Sequence, residues 1–201
     1  MAAEERIDLR VRRTRKLLQD AFLQLMAQKS FQSITVQDIS AAAMVNRSTF
    51  YDHFVDKYAL MEWAVSETFR EQLMARLPDT DHYTVENLRA LIMTMWEYFG
   101  GLHGQCQSAD EQERMLFQSQ VMNVVIKVLS DWLATGSGPG AEDPITRELA
   151  VAVTSWAIYG ASQYWAEKNP QGTGEELADR VFPILQGMPQ TACLLRENDP
   201  S

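Results

Sequence analysis

Cysteine is nearly missing from this sequence: Cys106 and Cys193 are the only two, far apart and outside any CxxC-like pattern. No disulfide framework or cysteine metal site is expected, and both residues read as reduced thiols. Long apolar runs are missing as well. The longest, Leu149 to Ala161, is interrupted by Thr154 and Ser155 and falls short of the ~20 residues that a membrane span needs. The opening MAAEERIDLR has no apolar core of a secretory signal, so a cytoplasmic protein without membrane association is expected. Catalytic patterns are absent too: there is no Gly-rich phosphate loop, no GxSxG elbow, no HExxH and no paired carboxylates in a pocket motif. Neither catalysis nor a cofactor is expected. His103 and Cys106 are spaced like metal ligands but lack a second pair, so they read as loop residues and no metal is expected. No segment alternates as a strand would, and no internal repeat is evident.

What is present is an apolar content of 46%, enough for a real core, and a charge that divides along the chain. The overall balance of −9 hides a mildly basic head: residues 1–57 carry nine Lys/Arg against seven Asp/Glu, leaving nine against twenty for the remainder. Within the head, Arg6, Arg10, Arg12, Arg13, Arg15 and Lys16 have only Asp8 among them as a countercharge. That is the local pattern expected beside phosphate, although a solvated helix face looks similar.

Helical periodicity organises the whole chain. Leu17, Leu18, Ala21, Phe22, Leu25 and Met26 predict a first helix from Leu9 to Ala27, followed by a break at Lys29 to Ser33. Thr35 can cap a short helix through Ala43, with Asp38 at its third position and Val36, Ile39, Ala42 and Ala43 inward. Three residues later Asn46 can cap another short helix, Arg47 to Phe54, whose Phe50 and Phe54 are one turn apart and must be buried. Two short capped helices joined by a tight turn make a helix-turn-helix. Longer helices are expected over Lys57–Leu77, Val85–Leu102, Ala109–Ala134, Pro144–Lys168 and Gly174–Met188. Asp143 before Pro144, and Thr173 with Glu176, are N-terminus signatures for the last two. The stretch Thr135 to Pro144 reads as a flexible connection and residues 189–201 as a flexible tail.

The segment TVQDISAAAMVNRSTFYDHFVDKYAL, Thr35 to Leu60, resembles the DNA-binding signature of the TetR family. The resemblance rests on the capped recognition helix, the aromatic pair Phe50-Tyr51, His53-Phe54, and Lys57 with Leu60 beyond. It implies an all-α fold: a three-helix DNA-binding domain over residues 1–57, and a larger helical ligand-binding and dimerisation domain over residues 58–188. It further implies a homodimer on a palindromic DNA operator, acting as a repressor. One departure stands out, because the turn position usually held by glycine is Met44, which costs roughly 1 kcal/mol if the backbone there is left-handed.

Burying Phe50 and Phe54 turns Ser48, Thr49 and Asp52 outward, flanked by Arg47 and Tyr51. Arg47 can pair with a guanine, Ser48 with a base edge or thymine methyl, and Gln37 on the preceding helix with an adenine. Asp52 either accepts from cytosine N4 or points away from the groove. By resemblance, Thr35, Thr49, Tyr51, His53 and Lys57 hold the phosphate backbone, with Asn46 at the cap completing the set.

The second domain is rich in Met and aromatic residues, which at helical spacing are more often core than ligand site. The resemblance nonetheless implies a cavity for an unknown, small apolar ligand, and Met93, Trp96, Phe99, Phe117, Met122 and Trp156 are its candidate lining. The alternative is a helical regulator without such a ligand, controlled by a protein partner. Helix Pro144–Lys168 is apolar on two sides. Ile145, Leu149, Trp156 and Tyr159 form a large stripe expected to face its own domain. Ala150, Val153, Ala157, Gly160, Ala161 and Tyr164 form a smaller one, expected to meet a second subunit together with Leu177, Val181, Ile184, Leu185 and Met188 of the last helix. The alternative is that the small stripe packs inside one subunit.

Overall fold

The computed structural model describes residues 2–77, 82–105, 111–135 and 143–187. Among them are eight α-helices and no strand: α1 (Ala2–Met26), α2 (Val36–Ala42), α3 (Arg47–Tyr51), α4 (Lys57–Met74), α5 (Val85–Gln105), α6 (Glu111–Thr135), α7 (Pro144–Lys168) and α8 (Gly174–Gly187). The all-helical architecture and every helix inferred from periodicity are present. None of the helices is long and apolar enough to cross a membrane, among the described residues. Cys106, residues 136–142 and 188–201 lie outside the described residues, and so does the side chain of His103.

Differences sit at helix ends. α1 begins at Ala2 rather than Leu9, because Ala2, Ala3, Glu4 and Glu5 are good helix formers and the acidic pair suits a helix N-terminus. α3 stops at Tyr51 rather than Phe54, yet the Phe54 N–H still donates to the Phe50 carbonyl at 2.9 Å and both rings are buried. The break after α1 holds a single 3-10 turn, Phe31–Ser33.

The chain divides into two compact units, Met1–Thr68 with Gln105–Gln120, and Phe69–Gly104 with Val121–Ser201. In the first, α1 packs on α2 and α2 on α3. Phe31 is its hub. The ring is fully buried and meets Phe22, Tyr58 and Phe117 edge-on, at centroid distances of 6.0, 5.1 and 6.4 Å. Gln19, which shares the stripe of Phe22 and Met26 on α1, is also fully buried. Its amide donates to the Thr68 hydroxyl at 2.9 Å and to the Ala64 carbonyl at 3.4 Å. Leu17 and Ala42, expected inward, are exposed instead, and Ser40 takes the inner position on α2.

In the second unit an aromatic chain links α4, α5 and α7: Phe69 to Tyr98 at 6.0 Å, Tyr98 to Phe99 at 5.8 Å, and Phe99 to Tyr159 at 5.1 Å. The two caps expected from sequence in this unit are formed. Asp143 accepts from the N–H groups of Ile145 and Thr146, and Thr173 and Glu176 exchange side-chain and backbone bonds at 3.1 Å each. α8 approaches α5 closely, since a Cβ on Gly174 would lie 3.2 Å from Met93 Cα.

The orientation of α7 corrects the two-stripe expectation. Its inner face is Ala150, Val151, Thr154, Ser155, Ile158, Tyr159 and Ser162, so Ile145, Leu149 and Trp156 of the large stripe are exposed alongside Val153, Gly160 and Tyr164. A helix apolar on two sides does not set its own phase, and here buried serine is tolerated because the Ser155 hydroxyl donates to the Val151 carbonyl at 2.7 Å. On α8, Val181 and Leu185 are buried with Leu177 and Ala178 inside their own unit, while Ile184 is exposed. Of the interface candidates, Val153, Gly160 and Tyr164 face outward, and Ala157 and Ala161 are half-buried.

Acid should act on the start of α2. Thr35 and Asp38 form a reciprocal capping box, and the Lys29 ammonium lies 2.8 Å from the Asp38 carboxylate. Lys29, then the Thr35 backbone and hydroxyl, hold the Asp38 pKa down to about 2. Because this value is depressed on folding, the small stabilisation it brings is complete above an ordinary carboxylate pKa of about 4 and is lost as pH falls toward 2. Thermal melts of wild type and Asp38→Asn across that window should show a steeper acid decline in wild type. Parallel declines would remove Asp38 from the account.

Candidate nucleic-acid interface

The candidate reading surface is built on α3, only five residues long and placed by its neighbours. Phe50 is fully buried, with its ring 6.0 Å from Phe54, whose own ring lies 5.6 Å from Trp63. The guanidinium of Arg15 lies over both Phe54 and Trp63, at 5.4 and 5.7 Å, so this arginine of the basic first helix is held against rings. Lys16 is paired with Asp20 at 3.5 Å.

With Phe50 inward, Arg47, Ser48, Tyr51 and Asp52 are exposed, and Thr49 and His53 are half-buried. Gln37, on α2, is exposed as well. Arg47 donates through Nη2 to the Tyr51 hydroxyl at 3.2 Å, with its guanidinium 5.7 Å from the Tyr51 ring. Asn46 occupies the N-cap position in extended conformation, but its side chain makes no capping bond. The turn before it is held by bonds from the N–H of Met44 to Ala41 (3.1 Å) and of Val45 to Ser40 (3.0 Å). Met44 sits there at a φ of 55°, so the left-handed conformation that the sequence left conditional is adopted.

Two residues assigned to phosphate by resemblance also have structural work. The Thr35 hydroxyl serves the capping box, accepting from the Asp38 N–H at 3.1 Å, and donates to the Asp38 carboxylate at 2.8 Å. The Lys57 ammonium donates to the carbonyls of Phe31 (2.9 Å), Gln32 (3.1 Å) and Ile34 (2.9 Å), and lies 4.6 Å from the Phe31 ring centroid. Neither the Gln19 latch nor these bonds of Lys57 were read from the sequence. The position of Gln19 on an apolar stripe was a visible signal, whereas the three carbonyls are gathered only by the 3-10 turn.

The six candidate ligand residues divide between the two units. Phe117 belongs to the first unit, against Phe31, and the other five to the second. Of these, Phe99 and Met122 are buried, Met93 and Trp96 are half-buried, and Trp156 is 54% exposed, with its ring edge to Tyr159. Among the described residues no group of three or more His, Cys, Asp or Glu side chains gathers as metal ligands would.

Two short helices joined by a tight turn, with the second presenting Arg, Ser and Tyr outward from a basic head, form a helix-turn-helix of the kind that binds DNA. Residues 18–64 match the family model described as bacterial regulatory proteins, tetR family. The chain is similar to the uncharacterized HTH-type transcriptional regulator YxbF of Bacillus subtilis, 37% identical over 83 residues that make up 41% of this chain and 20% of that protein. It is also similar to DhaS of Lactococcus lactis, the dhaKLM operon transcriptional activator, 26% identical over 118 residues, 59% of this chain and 62% of that protein. The chain thus spans less than two thirds of the length of either relative. In fold it is similar to a TetR-family transcriptional regulator from Streptomyces coelicolor, with a TM-score of 0.60 at 15% identity, covering 90% of this chain and 99% of that one. Residues 18–64 are thus similar to the DNA-binding region of the TetR family, and the fold is similar to that of a TetR-family regulator.

Lys57→Met keeps the methylenes and removes the ammonium, leaving three carbonyls without that donor. Calorimetry without DNA should show a loss of about 1–3 kcal/mol, the usual worth of hydrogen bonds to a charged group. An unchanged transition would mean that these bonds add nothing to the fold.

Proposed function

We propose that this protein is a repressor that binds a palindromic operator as a homodimer, with α3 of each subunit in the major groove, and is released by a small apolar ligand. The outward set on α3 carries the DNA reading: burial of Phe50 leaves Arg47 and Ser48 at the leading end of the helix, with Gln37 exposed on α2. Arg47 reads a guanine, Ser48 a base edge and Gln37 an adenine. Thr35, Asn46, Thr49, Tyr51, His53 and Lys57 lie along the backbone contacts that fix register.

Dimerisation is assigned to the exposed face of α7, because Ile145, Leu149, Val153, Trp156, Gly160 and Tyr164 put a continuous apolar strip in water, with Ile184 of α8 also exposed. Two copies related by a two-fold axis bury such a strip against itself and present two heads to inverted half-sites. The ligand proposal is supported by the Met and aromatic residues of the second unit, with Met93, Trp96, Phe99 and Met122 as its nearest candidates. Trp156 is reassigned to the dimer face. The geometry of the head serves activation equally well, and the name of DhaS says that it is an activator.

Fluorescence anisotropy on matched and scrambled palindromes tests the reading surface. Arg47→Ala should cost about 1–3 kcal/mol on the matched site and relax preference at one base position. Equal losses on both DNAs would contradict base reading by Arg47.

Gly160 tests the dimer face cleanly, because a Cβ built there meets nothing within 4 Å. Gly160→Glu should therefore fold, sediment as a monomer and lose tight binding to the palindrome, since an unpaired charge is not tolerated in a closed interface. A Gly160→Glu dimer that still binds tightly would place the interface elsewhere.

A further inference from the structure

Met44 is unfavourably placed twice over. Its φ of 55° lies in the left-handed region that disfavours a residue with a Cβ, and it is the only non-glycine at positive φ among the described residues. Its side chain is 91% exposed, so almost no packing within the chain offsets that strain. The turn itself does not need a side chain here. The backbone bonds from Met44 to Ala41 and from Val45 to Ser40 would form equally with glycine. An apolar side chain held in water by a strained backbone points to something outside the free chain that covers it.

Its position indicates what that is. Arg47, the first residue of α3, is three residues on, so the two Cα atoms are at most about 11 Å apart. A recognition helix enters the groove with its N-terminal residues leading, and the segment that feeds it travels with that end. The neighbours Ala41 and Ala42 are exposed but small, which leaves the Met44 thioether standing clear of the surface.

We infer that Met44 is a DNA-contact residue whose thioether packs on the apolar part of the operator at the groove edge, a thymine methyl or a deoxyribose face. The inference rests on the operator-binding proposal above. A long, unbranched, polarisable side chain suits such a surface, because it adapts to a shape that varies with sequence. The contact carries no charge, so it adds affinity without releasing counterions.

The test uses the full-length protein and a palindrome selected by the wild-type protein from random DNA. Met44→Gly should raise the melting temperature by roughly 2–4 °C through relief of the backbone. It should also bind the palindrome roughly five- to tenfold more weakly, with an unchanged salt slope. Met44→Ala should lose the same affinity with no gain in melting temperature, since alanine keeps the strain. Operators with single thymine-to-uracil replacements then separate the two surfaces. A replacement that weakens wild type but not Met44→Ala identifies a methyl contact, and none doing so identifies deoxyribose. Wild-type affinity in either variant, or a flattened salt slope, would overturn the inference and leave the side chain to a protein partner. Failure of the wild type to select any DNA would instead overturn the operator proposal itself.

Discussion

A helix of five residues has almost no stability of its own, because nucleation consumes what few hydrogen bonds it makes. The orientation of α3 is therefore imposed from outside it. Phe50 is locked into the core, Phe54 follows one turn later against Trp63 and Arg15, and the turn before α3 is pinned through Met44 and Val45. Around this, Phe31 gathers rings from α1, α4 and α6, and the Lys57 ammonium holds the carbonyls of its 3-10 turn. The direction of Arg47 and Ser48 is a consequence of those buried contacts.

Much of this was legible in the sequence, for reasons that can be named. The ends of α7, the Asp143 cap and the Thr173 capping box follow from local chemistry that acts within four residues, and they stand where composition puts them. The left-handed turn at Met44 was only conditional in the sequence, because a side chain stands where glycine would have signalled it. The α3 face was legible because two phenylalanines one turn apart leave little choice of phase.

What was not legible depends on elements distant in sequence. α7 carries apolar residues on two sides, so its phase is set by Phe99 on α5, with Ser155 satisfied on its own helix. Phe117 reads as a residue of the second domain by position, yet it packs on Phe31 across more than eighty residues of chain. Lys57 carries a formal charge that suggests phosphate, and only the folded turn shows three carbonyls around it. Val181 and Leu185 are turned inward by α8 packing on α7, which no single-helix pattern reveals.

The central claim is that two copies of this chain present two such heads to one duplex. Selection of bound fragments from genomic DNA with purified protein tests it most directly. The account predicts enrichment of an inverted repeat whose half-sites are centred about one helical turn apart, or a multiple of it. Enrichment of unpaired half-sites, or of no sequence at all, would contradict it.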